Sequence, residues 1–102
     1  MTPDTKNTGA PVLRALQMAE CLAGYAATGA TNKELAEQLK CPPPYVTRTA
    51  DVLIAAGWAR KSEDGRFYPT AHFTRLTFRV LADFDRLENQ TQDRKRAMTS
   101  AY

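Results

Sequence analysis

The stretch TNKELAEQLKCPPPYVTRTADVLIAAGWARKSEDGRFYP, Thr31–Pro69, decides the fold. It opens on Thr31-Asn32-Lys33-Glu34, the pattern of a capping box, in which the threonine hydroxyl accepts from the Glu34 amide while the glutamate reaches back. Leu35, Ala36 and Leu39 give the short helix that follows an apolar face. Lys40-Cys41-Pro42 cannot continue it, because proline lacks the N–H a helix interior needs, so the chain turns. A further helix starts near Pro43 or Pro44, where proline is tolerated in a first turn, with Val46, Ala50, Leu53 and Ile54 facing inward. Gly57 is its left-handed stop. The period then changes: Trp58–Ser62 and Arg66–Pro69 read as two strands around Glu63-Asp64-Gly65, and Asp-Gly between strands is a strong hairpin signal.

Upstream, Val12, Leu16, Ala19 and Ala23, with Leu13 and Leu22 beside them, recur at helical spacing from Pro11 and predict a first helix fading before Gly29. Residues 1–10 are polar and predict a disordered arm. Downstream, Phe73, Leu76, Val80, Phe84 and Leu87 lie on one stripe of a long helix, widened by Phe78 and Leu81. The predicted organisation is an arm at 1–10, a folded unit at 11–70, a C-terminal helix at 71–90 and a polar, fraying tail at 91–102. Helix, short helix, tight turn, helix and basic hairpin is the order of a winged helix-turn-helix. The expected class is mainly α with a small β-hairpin, followed by a long C-terminal amphipathic helix.

The net charge of +3 is unevenly placed. Residues 41–79 carry Arg48, Arg60, Lys61, Arg66, Arg75 and Arg79 against Asp51, Glu63 and Asp64, whereas positive and negative charges balance on either side. A local basic surface is the usual footprint of phosphate binding. With Val46, Ala50 and Leu53 inward, the outward face of the third helix carries Pro44, Tyr45, Thr47, Arg48 and Asp51. Such a helix fits the major groove, where Arg48 can bond guanine or phosphate, Thr47 a base or phosphate, and Tyr45 a sugar or thymine methyl. Arg60, Lys61 and Arg66 on the hairpin are expected at the backbone or minor groove. The expected partner is double-stranded DNA, read by a recognition helix at 43–57 and a wing at 58–69.

Other classes have little support in the chain. Cys21, Cys41 and the single His72 fit no metal spacing, and no catalytic triad, phosphate loop or cofactor motif is present. No metal, cofactor or enzymatic activity is expected. No apolar run approaches the ~20 residues that span a bilayer, and the first residues lack a secretory pattern, so a cytoplasmic protein without membrane contact is expected. The stripe Phe73, Leu76, Val80, Phe84 and Leu87 is too long for one small domain to cover, and pairing with a twin helix predicts a homodimer. Two recognition helices about a two-fold axis would read a palindrome.

Residues 12–70 resemble the N-terminal domain of IclR-type transcriptional regulators. The resemblance lies in VLRALQMAECLAG, TNKELAEQL and PPPYVTRTADVLIAAGWARKSEDGRFYPT. Its most specific pieces are Glu34-Leu35-Ala36, Pro42, Val46, Arg48, Leu53, Gly57 before an aromatic, and Asp64-Gly65-Arg66-Phe67. It implies a winged helix-turn-helix regulator of transcription, dimeric through a linker helix. The chain departs from the family at Pro43-Pro44-Tyr45, where members carry basic or hydroxyl residues, and two prolines remove amides that can hold a phosphate. Members also continue into a larger effector-binding domain. Its absence here leads to the expectation of a small repressor with no small-molecule effector. The second reading is a winged helix reused for protein interaction, as an antirepressor or an inhibitor of a host protein.

Overall fold

A computed structural model describes residues 9–100. Its elements in chain order are α1 (Ala10–Ala23), α2 (Asn32–Leu39), α3 (Pro43–Ala55), β1 (Ala59–Lys61), β2 (Phe67–Pro69) and α4 (Ala71–Thr99). The architecture is the expected one: mainly helical, with a two-stranded antiparallel hairpin and a long last helix. The arm expected at 1–10 falls outside the described residues except for Gly9 and Ala10, and Ala10 already belongs to α1.

The local structure from α2 to the hairpin forms as its residues dictate. Thr31 Oγ1 accepts from the Glu34 amide at 3.1 Å, and Glu34 Oε1 accepts from the Thr31 amide at 3.0 Å, closing the capping box at the start of α2. Lys40 ends α2 in the left-handed region, at φ 54°, a conformation that costs a residue with a Cβ about 1–2 kcal/mol. Pro42 then runs extended, and Pro43 and Pro44 begin α3. Gly57 takes φ 85° after α3, while the Trp58 amide donates back to the Leu53 carbonyl at 2.8 Å. β1 and β2 pair Ala59 with Pro69, Arg60 with Tyr68 and Lys61 with Phe67.

A third backbone segment joins the hairpin. Ala30 and Phe67 exchange both amide–carbonyl bonds at 2.8 Å, so the residue before the α2 cap extends the sheet as an isolated bridge. Nothing in the local pattern around Ala30 announces a strand.

The core forms where the three helices and the hairpin meet. Met18, Leu22, Leu35 and Val46 are fully enclosed, packed with Ala30, Ala50, Leu53, Ala59 and Phe67. The expected inward face of α1 needs correction. Val12 and Leu16 are 63% and 60% exposed, and Met18 is enclosed in their place. Spacings of three and four fit two neighbouring stripes of α1, and packing against α2, α3 and the hairpin selects the one through Ala15, Met18, Ala19 and Leu22. On α3, Ile54 is also exposed. Thr49 is buried instead, its hydroxyl donating to the Tyr45 carbonyl at 2.7 Å.

α4 is joined to this body at its first turn. Thr70 caps it, accepting from the His72 amide and donating to the Gly57 carbonyl at 2.6 Å. Trp58 meets the rings of His72 and Phe73 edge-on, with centroids 4.4 and 5.2 Å apart. The whole helix is about 43 Å long at 1.5 Å per residue, most of it projecting beyond that turn, and it has no buried residue. It continues to Thr99, past residue 90 where the polar tail is expected to fray. Gln, Lys, Arg, Ala and Met in that stretch are good helix formers, and Thr91 and Thr99 bond back to carbonyls one turn earlier.

Candidate nucleic-acid interface

α3 turns Pro44, Tyr45, Thr47, Arg48 and Asp51 to the surface, opposite Val46, Thr49, Ala50 and Leu53. Thr49 replaces Ile54 on the inward side, whereas the outward set is the one the sequence predicts. Three of these side chains are already held by neighbours. The Arg48 guanidinium lies 4.7 Å from the centre of the Tyr45 ring, with its Nε donating to the Pro44 carbonyl at 3.4 Å. Thr47 Oγ1 accepts from Asn32 Nδ2 at 3.1 Å, and the same Nδ2 donates to the Pro43 carbonyl at 3.3 Å. Asn32 therefore ties the first turn of α2 to the start of α3 and helps to set the angle between the two helices.

Two residues of this surface escape the sequence reading. Asn32 is one, its Oδ1 buried with no hydrogen-bond partner. Arg14 of α1 is the other, its guanidinium 4.6 Å from the centre of the same Tyr45 ring. No local signal could have found either. Both depend on how α1 and α2 cross α3.

The start of α3 offers no amide cradle for a phosphate at its first three positions. Pro43 and Pro44 have no N–H, and the Tyr45 amide donates to the Pro42 carbonyl at 3.0 Å. An anion at this end of α3 would have to be held by side chains.

The three basic wing residues are not equivalent. Arg60 and Lys61 are exposed, stacked on the rings of Tyr68 and Phe67 at 4.2 and 5.5 Å. Arg66 turns towards the body: its Nη1 donates to the Gly29 carbonyl at 3.3 Å and lies 3.9 Å from Glu34, with Asp64 at 3.7 Å from Nε. Arg66 thus joins the wing to the capped start of α2. The hydrogen bonds that the Thr31 amide and hydroxyl give to Glu34, with the nearby Arg66 charge, hold its carboxyl below the ordinary range. At the hairpin tip the Ser62 hydroxyl, then the Arg66 amide, do the same for Asp64.

The stripe residues Phe73 and Leu76 are half-buried near the base of α4, whereas Val80, Phe84 and Leu87 are exposed. Among the described residues no helix is long and apolar enough to cross a membrane, and no group of three His, Cys, Asp or Glu could hold a metal ion.

No protein-family model matches the chain. No curated protein matches it either. Among solved structures it is similar to a crystal structure of an IclR family transcriptional regulator from Brucella abortus, with 22% identity and a TM-score of 0.64. The match covers 80% of this chain and 31% of that one, so the chain corresponds to about a third of that regulator's length. The fold is a winged helix-turn-helix extended by a long helix, shared with part of an IclR family transcriptional regulator.

Proposed function

We propose that this chain is a sequence-specific double-stranded DNA-binding regulator of transcription, a repressor, that acts as a homodimer. The observation that carries the reading is the exposed face of α3, with Arg48 stacked on Tyr45, in a fold shared with part of a transcriptional regulator. In this reading residues 11–70 are the reader, with the recognition helix at 43–57 in the major groove. Pro44, Tyr45, Thr47 and Arg48 meet the groove, and Arg60 and Lys61 on the wing at 58–69 meet the backbone or minor groove. Arg66 contributes by holding the wing against α2 more than by direct contact, since its guanidinium already has three partners.

Residues 71–90 supply the dimer contact. Val80, Phe84 and Leu87 are each more than half exposed on one stripe, an arrangement that favours burial against a twin. Phe73 and Leu76 extend that stripe towards the reader. A two-fold pair places two α3 helices on half-sites about one DNA turn, or a multiple of it, apart.

The test is selection from random duplex DNA followed by affinity measurement across salt concentrations. Enrichment of a palindrome, with affinity falling steeply as salt rises, is the expected result. Failure to enrich any sequence, with Arg48→Ala leaving residual binding unchanged, would overturn it. One observation favours the second reading, a protein-interaction module: Asp51 lies exposed on the reader face and would repel phosphate. In that case the selection recovers no site.

A further inference from the structure

A groove of about 460 Å³ opens between the first turns of α1 and the side of α3. Its walls are Val12, Ala15 and Val52, and its edge carries Arg14, Tyr45 and Arg48. Val12 and Val52 are 63% and 60% exposed, an apolar surface that the core does not use. The two guanidiniums lie 4.6 and 4.7 Å from the centre of one Tyr45 ring. Among the described residues, neither has a carboxylate within 4.0 Å. Two uncompensated cations on one ring favour an anion beside them. The valines favour hydrocarbon. A DNA phosphate would satisfy the arginines and leave the valines wet. The volume lies within the ~300–1,000 Å³ of small-ligand sites, which are mostly apolar with a few placed polar groups.

We propose that this groove binds a small amphipathic carboxylate, with its hydrocarbon body between Val12, Ala15 and Val52 and its carboxylate on Arg14 and Arg48. The sequence leads to an expectation of no small-molecule effector; the groove would place a ligand site within residues 11–70 themselves. Tyr45 and Arg48 belong to both the groove and the DNA-reading face, so ligand and duplex compete for them. That competition rests on the DNA-binding reading. Ligand binding does not.

The experiment is a titration of the full chain followed by amide NMR, with octanoate, 1-octanol and acetate as probes. Octanoate is expected to give saturable shifts at Val12, Ala15 and Val52. Acetate should give none, and octanol should bind about tenfold more weakly, the scale of one charge-assisted hydrogen bond. Arg14→Gln with Arg48→Gln should weaken octanoate about tenfold and leave octanol unchanged. Arg48 is exposed and Arg14 half-buried, and the spectrum of the variant itself shows whether it folds. Absence of saturable shifts, shifts confined to the α4 stripe, or equal affinity for octanol and octanoate would each overturn the site. On a selected duplex, octanoate should weaken DNA binding by the wild type, and Arg14→Gln should need a higher octanoate concentration for the same loss. Unchanged wild-type DNA binding at saturation would overturn the competition. A wild type that binds no duplex would remove the DNA reading, while the octanoate titration still decides the site.

Discussion

The ring of Tyr68 occupies the space that a side chain on Gly29 would need. A Cβ built on Gly29 would lie 2.6 Å from Tyr68 Cζ, and the backbone there has φ +74°. The Tyr68 hydroxyl donates to the Thr28 carbonyl at 3.3 Å, and the Arg60 guanidinium sits over the ring, so the ring is held at its hydroxyl and on one face. This contact closes the wing onto the turn before α2.

Gly29→Ala is therefore expected to destabilise the fold by about 2–3 kcal/mol, combining a left-handed backbone with an overpacked contact. Gly57→Ala is the control. It has a similar φ of +85° with nothing within 4 Å of the added Cβ, and should cost only about 1 kcal/mol. Urea unfolding of the two variants isolates the ring contact. Equal losses would show that Tyr68 moves aside freely.

Acid should weaken the fold through Glu34 and Asp64. Both carboxyls are held below their ordinary values in the folded chain, Glu34 by Thr31 and Asp64 by the Ser62 hydroxyl. A depressed folded value means stability that is present above the unfolded carboxylate range and lost as pH falls through the folded values. Thermal melts should therefore fall from about pH 4.5 downward. Glu34→Gln should lower the melt at neutral pH and make the acid dependence shallower, whereas Glu37→Gln, at an exposed site without these partners, should do neither.

The basic wing residues should separate by assay. Arg60→Ala and Lys61→Ala should each reduce the salt dependence of DNA binding by about one phosphate contact, a slope change of ~0.9, with little change in stability. Arg66→Ala should act first on folding, because it loses the Gly29 carbonyl and the contact with Glu34. Faster hydrogen exchange at the Ala30 and Phe67 amides would report that loosening. A full slope change for Arg66→Ala, with unaltered exchange, would reverse the assignment.

The long helix should depend on concentration. No residue of α4 is buried in one chain, and an isolated helix is held chiefly by its own hydrogen bonds and propensity. Light scattering should give twice the chain mass, and dilution should lower helical circular dichroism together with mass. Phe84→Asp should give monomer, with reduced helicity at every concentration. A wild-type monomer with full helicity at high concentration would exclude pairing through Phe73–Leu87.

The sequence by itself determined those parts of the fold whose causes lie within a few residues. The α2 start follows from Thr31 and Glu34, the turn from Pro42, the α3 start from Pro43 and Pro44, and the hairpin from Asp64-Gly65. The outward set on α3, including Tyr45 and Arg48, was legible because a helix has one fixed period. Tertiary structure alone decided which stripe of α1 is buried, since Val12-Leu16 and Met18-Leu22 both satisfy helical spacing and only the packing of α2, α3 and the hairpin against α1 separates them. It also decided that Arg66 points inward, that Ala30 pairs with Phe67, and that Arg14 joins Arg48 on Tyr45. Each of these contacts joins residues far apart in the chain, and their geometry is set by how whole helices cross rather than by local propensity.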